Sequence, residues 1–90
     1  MKDKLLSVYV DNKEVYYVKQ INKKTDMDGN TKACAVFDSN DNIIHVYTLE
    51  INAYIAAVEY GLEKGDGNCI AYYPNETITY KNYQMFCRTL

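Results

Sequence analysis

The stretch TLEINAYIAAVEYGLEKG, residues 48–65, decides the fold. Ile51, Ile55, Val58 and Leu62 recur at spacings of four, three and four, which is the period of one helical stripe. Tyr54 borders that stripe, and Asn52, Glu59 and Glu63 fall on the wet side together with Leu49, Ala53, Ala56 and Tyr60. Thr48 is placed to cap the first turn, and Glu50 complements the positive end of the helix dipole. Gly65 is placed to end it in a left-handed residue. A single amphipathic helix of about four turns is therefore predicted.

Outward from it, both flanks read as β structure. Upstream lie four β-rich runs: Leu5–Val10, Glu14–Ile21, Thr31–Phe37 and Ile43–Tyr47. Asp11-Asn12-Lys13 and Asp38–Asn42 carry turn chemistry, while the polar run Asn22–Asn30 reads as a loop. Downstream, Cys69–Tyr73 and Thr77–Tyr80 are strand-like around Pro74-Asn75-Glu76. The tail Lys81–Leu90 reads as strand through the alternation of Met85 and Cys87; a short helix capped by Thr79 is the alternative. The prediction is one α+β domain over residues 1–90. It is an antiparallel sheet of five to six strands with one amphipathic helix on one face, in the order β-β-β-β-α-β-β.

Composition narrows the function classes. Ninety residues can bury one modest core, and a net charge of −2 marks neither a disordered acidic chain nor a basic nucleic-acid binder. No apolar run reaches membrane-spanning length, and no signal-like stretch follows the basic start, so a cytoplasmic protein is expected. Cys34, Cys69 and Cys87 are odd in number and lie in apolar segments, which predicts buried free thiols. Asn, Lys, Tyr and Ile make up more than a third of the chain, which suggests AT-rich coding, as in a low-GC bacterium or its phages. Ten tyrosines stand against two phenylalanines and no tryptophan.

Chemistry-bearing motifs are few. Asp66-Gly67-Asn68-Cys69-Ile70 resembles the nucleophile loop of the ovarian-tumour family of cysteine deubiquitinases. That resemblance implies Cys69 as a thiolate at the start of a helix, with a downstream histidine as base. Here Cys69 opens a β-like run, the only histidine is His45 upstream, and 21 residues follow the cysteine. Asp-Gly-Asn is also turn chemistry, and a turn is the reading adopted. Asp26-Met27-Asp28-Gly29-Asn30 has the look of a calcium loop, but Lys24 and Ala35 stand where ligands are needed, so it reads as a hairpin loop. His45 has no second histidine for a metal site, and Lys19, Lys23 and Lys24 form a small basic cluster suited to phosphate contact. No nucleophile–base pair is evident, and no enzyme activity, cofactor or metal is expected.

What remains is a question of surfaces. One helix covers one side of a sheet, and strand alternation assigns Leu6, Val8, Val10, Ile44 and Val46 to that side. Leu5, Tyr9, Ile43, His45 and Tyr47 then face away. Tyr9, Tyr17, His45, Tyr47, Leu49 and Tyr60 are the candidate partner-binding residues, since tyrosine supplies contact area at low entropic cost. The sequence thus predicts a non-catalytic protein-binding module whose partner is a larger protein or complex, of the kind a phage or mobile element uses to inhibit a host enzyme or defence complex (anti-CRISPR-like). The rival readings are a single-stranded nucleic-acid binder stacking bases on sheet tyrosines and a homodimeric accessory protein.

Overall fold

The structure, a computed structural model, describes residues 4–25 and 29–88, and side chains other than those of 23–31. Six strands and two helices follow in order: β1 (Lys4–Val10), β2 (Lys13–Thr25), β3 (Gly29–Asp38), β4 (Ile43–Tyr47), α1 (Glu50–Lys64), β5 (Cys69–Tyr72), β6 (Thr77–Tyr80) and α2 (Tyr83–Arg88). The strands form one sheet in the order β4-β3-β2-β1-β5-β6, and every neighbouring pair is antiparallel. The first four strands are a meander. β5 then returns beside β1, so β1 is central to the finished sheet.

Turn chemistry explains the meander. Asp11 and Asn12 both take positive φ, 53° and 66°, which gives the two-residue hairpin turn whose twist matches its strands. Between β3 and β4 the Asp38 carboxylate accepts the amides of Asn40 (2.9 Å) and Asn42 (3.0 Å), and those bonds hold its pKa below the usual value. The predicted loop over 22–30 is largely strand instead. The β2–β3 ladder runs unbroken from Tyr16↔Asp38 to Thr25↔Gly29. Ladder bonds need only backbone groups, so the polar residues there do not end the strands. Among the described residues, this pair continues as a two-stranded ribbon beyond Lys19 in the β1 register and Cys34 in the β4 register.

α1 packs across the sheet by part of the predicted stripe, with Val58 and Leu62 buried and Ile55 against the core. The stripe is shifted: Ile51 is outside it, and Ala53 and Ala56, expected on the wet side, are within it. Ala53, Ala57 and Gly61, four apart, are buried together with Ala56, Val58 and Leu62, while Ile51 is 58% exposed. Small side chains let the helix axis sit close to β1: a methyl group on Gly61 would lie 2.3 Å from Val8 Cγ1. Hydrophobic size points to the isoleucines, but closeness of approach selects the small residues. The cap also differs: Leu49, in extended backbone, is the N-cap, and Thr48 is not. At the other end Gly65 has φ −92°, and the left-handed residues are Asp66 and Gly67. Glycine is required at 65 for space, since a Cβ there would meet the Asn68 carbonyl oxygen at 1.9 Å.

The C-terminal segment is helical, not a strand. Asn82 Oδ1 accepts the Met85 amide at 2.7 Å, so Asn82 rather than Thr79 caps α2. Phe86 is 3% exposed and meets Tyr80 edge to face at 5.5 Å. Both residues join Leu6, Val8, Val18, Val36, Val58 and Leu62 in one core. α1 and α2 therefore lie on the same side of the sheet.

Candidate partner-binding face

Register fixes what the other side carries. One row crosses five strands as Thr77, Tyr72, Ser7, Tyr17 and Phe37, and reaches Ile43 on the sixth. A second row is Thr79, Ile70, Tyr9 and Glu14. Lys4 and Lys19 face each other above the first row, beside Ala35 and Val46. None of Tyr9, Tyr17, Phe37, Ile43, Ile70 and Tyr72 belongs to or packs against the core beneath the helices.

The rings on this face are partly tied to one another. Tyr17 and Phe37 stack with centroids 4.8 Å apart and planes within 1°. The Lys4 ammonium sits 4.3 Å from the Tyr17 centroid, and Lys19 lies 5.6 Å from that of Phe37. Lys4 also pairs with Glu14 at 2.7 Å. Tyr17 is buried by these neighbours, and its hydroxyl donates to Asp41 Oδ1 at 2.7 Å. Burial, then the Asp41 carboxylate, pushes its pKa up to about 12. Tyr9 meets Tyr72 edge to face at 5.0 Å. Tyr72 is 43% exposed and Ile43 52%, so the face ends in free apolar surface at both flanks. Beside Tyr72, a hollow of about 720 Å³ is lined by Lys4, Leu5, Ser7, Tyr9, Tyr72 and Pro74.

Of the six candidate partner residues, the structure brings only Tyr9 and Tyr17 together on this face. His45 and Tyr47 are on the helix side, because their partners Val36 and Cys34 face the core. The predicted parity of β4 holds for Ile43, opposite Phe37 on the outer face, and is reversed after it, where Val46, opposite Ala35, is the outward residue. A register shift between Val36 and Phe37 leaves Ile44 as the extra residue of a bulge, so simple alternation fails there. Burial, then the neighbouring Tyr60 hydroxyl, pushes the Tyr47 pKa up to about 12. Tyr60 also packs on Tyr16. Leu49 is exposed, but at the start of α1. Alternation around Ala71 would have assigned Tyr72, but only the β1–β5 pairing, which has no local signal, sets it beside Tyr9 and Ser7.

The remaining motifs resolve in place. Lys19 lies on the outer face, while the side chains of Lys23 and Lys24 fall outside the described residues. Asp26, Met27 and Asp28 are also outside them, and Gly29 and Asn30 belong to β3. Cys69 begins β5 rather than a helix, and burial pushes its thiol up to about 11, the opposite of nucleophile activation. Cys34 is likewise buried; Cys87, expected to be buried, is exposed on α2. His45 is exposed, its ring against Tyr47 at 4.7 Å. Among the described residues no group of three or more His, Cys, Asp or Glu could hold a metal ion. No helix there is long and apolar enough to cross a membrane. No family model, curated protein or solved structure matches the chain.

Proposed function

We propose that this protein is a cytoplasmic binding module that engages a larger protein through the outer face of its sheet, without catalysis of its own. One observation supports this most. Both described helices pack on one side, and the other carries an aromatic and aliphatic row from Tyr72 to Ile43. Apolar surface of this kind, rimmed by polar groups such as Lys4, Glu14 and Asp41, is typical of a protein interface. The stacked and cation-capped state of Tyr17 and Phe37 favours a protein over single-stranded nucleic acid, because both faces of the Tyr17 ring are already in use. Size and AT-rich composition suit a phage or mobile-element product that blocks a host enzyme or defence complex.

A photo-crosslinking residue at Tyr72, compared with one at Glu63 on the wet side of α1, tests the reading in low-GC bacterial cells. A discrete protein adduct from position 72 that is absent from position 63 is the expected result. Equal labelling from both positions would remove the case for this face. So would adducts dominated by nucleic acid.

A further inference from the structure

We propose that the hollow between α1, α2 and the β5–β6 hairpin binds an organic cation: an N-methylated ammonium head with an apolar tail. It lies on the helix side of the sheet, away from the outer face, and encloses about 390 Å³. That size is within the range of small-molecule sites. Four of its lining side chains are aromatic. Tyr54 and Tyr73 meet edge to face, with centroids 6.0 Å apart and planes at 79°. Tyr80 and Phe86 do the same at 5.5 Å and 88°. Rings set at steep angles around one space offer it π faces as well as edges, and the faces attract a cation. The tyrosine hydroxyls are already engaged: Tyr54 donates to the Glu50 carboxylate, and the Tyr73 and Tyr80 oxygens share a hydrogen bond at 2.9 Å. The rings are thus held in place before a ligand arrives, which lowers the entropic cost of binding.

Charge selects the occupant. Among the described residues lining the hollow, Glu76 is the one ionised side chain, and no lysine or arginine joins it. The turn that carries it is fixed by the Tyr73 amide, which donates to the Glu76 carbonyl at 2.8 Å. Burial, then the bonds just named, raise the pKa of Tyr54 and Tyr73 above the usual phenol value, and the negative charges of Glu50 and Glu76 add to the rise. The field that resists a phenolate there also repels a bound anion and favours a cation. A lysine-type ammonium is strongly hydrated and costly to strip, whereas an N-methylated head spreads its charge and enters at less cost. The tail follows from the remaining walls. Ile51, Ile55 and Ile78 line the same hollow, and Ile51 is 58% exposed, apolar surface that an alkyl chain would cover.

NMR titration of the isotope-labelled chain tests the assignment with three probes: choline, hexyltrimethylammonium, and the neutral isostere of choline in which a tert-butyl group replaces the trimethylammonium. Saturable shifts are expected at Ile51, Ile55 and Ile78, with hexyltrimethylammonium binding more tightly than choline and the neutral isostere at least ~10-fold more weakly. Glu76→Gln, in an exposed turn, is expected to keep the melting curve and weaken choline at least ~3-fold while leaving the neutral isostere unchanged. Tyr54→Leu, which keeps apolar bulk but removes a π face, is expected to act in the same direction. The proposal is overturned if the neutral isostere binds as tightly as choline, or if the hexyl chain adds nothing. It is equally overturned by a lack of saturable shifts up to about 20 mM choline, or by shifts centred on Tyr9 and Tyr72 of the outer face. Choline binding unchanged in both variants has the same consequence.

Discussion

Gly61→Ala is the most direct test of how α1 meets the sheet. At an exposed helical site this change stabilises by about 1 kcal/mol, because glycine has the greater backbone entropy to lose. Here the added Cβ would lie 2.3 Å from Val8 Cγ1, where carbon contacts prefer ~3.5–4.0 Å. Val8 is fully buried on the central strand, and a β-branched side chain has little freedom to turn away. The helix must therefore lift or the strand must shift, at an overpacking cost of about 1–3 kcal/mol. The net expectation is a loss of up to about 2 kcal/mol, or up to ~10 °C in Tm for a domain of this size. Urea denaturation followed by far-UV circular dichroism measures it. Val8→Ala alone should cost about 2 kcal/mol, and the double variant should lose at least ~1 kcal/mol less than the sum of the singles. Stabilisation by Gly61→Ala, or strict additivity with Val8→Ala, would refute close packing at this crossing.

Other outcomes follow from the same contacts. Phe86→Ala should cost about 3 kcal/mol in a thermal or urea melt; an unchanged melt would mean that α2 contributes nothing to the core. Tyr17→Phe should lose about 1 kcal/mol near neutral pH with the bond to Asp41. It should also flatten the alkaline limb: the folded chain keeps the Tyr17 proton up to about 12 and the unfolded chain releases it near 10, so stability falls as pH rises between these values. An alkaline slope identical in the Tyr17→Phe and unmodified proteins would contradict that assignment. At neutral pH a thiol reagent should titrate Cys87 at once, and Cys34 and Cys69 only on unfolding; three thiols reacting together would contradict the burial.

Strand and helix identities were legible because period and turn chemistry are local. The hairpin at Asp11-Asn12, the turn from Asp38 and the helix ending near Gly65 all have short-range causes. The misreadings arise where geometry depends on contacts remote in sequence. One bulged residue, Ile44, reversed the faces of β4 beyond Ile43, and with them the placement of His45, Val46 and Tyr47. The ribbon from Lys19 to Thr25 was hidden by its polarity, since a ladder is held by backbone atoms that composition does not register. The small-residue part of α1's buried stripe was hidden, because alanine and glycine carry little hydrophobic weight yet permit the closest approach. α2, at six residues, is too short for a period to emerge. The candidate face was only half visible: Tyr9 and Tyr17 were named, while Tyr72 and Phe37 depend on pairings that the sequence does not announce.

The central position of β1 has a consequence for the nascent chain. Val8 pairs with Tyr16 eight residues later, and on its other side with Ala71, sixty-three residues later. At ~5–20 residues per second, several seconds separate the emergence of β1 from that of the strand that seals it. Throughout that interval the newborn meander is open along β1, beside Leu6 and Val8. A polypeptide released before β5 emerges keeps that seam bare and joins its neighbours there, whereas the finished molecule has closed it with its own return strand.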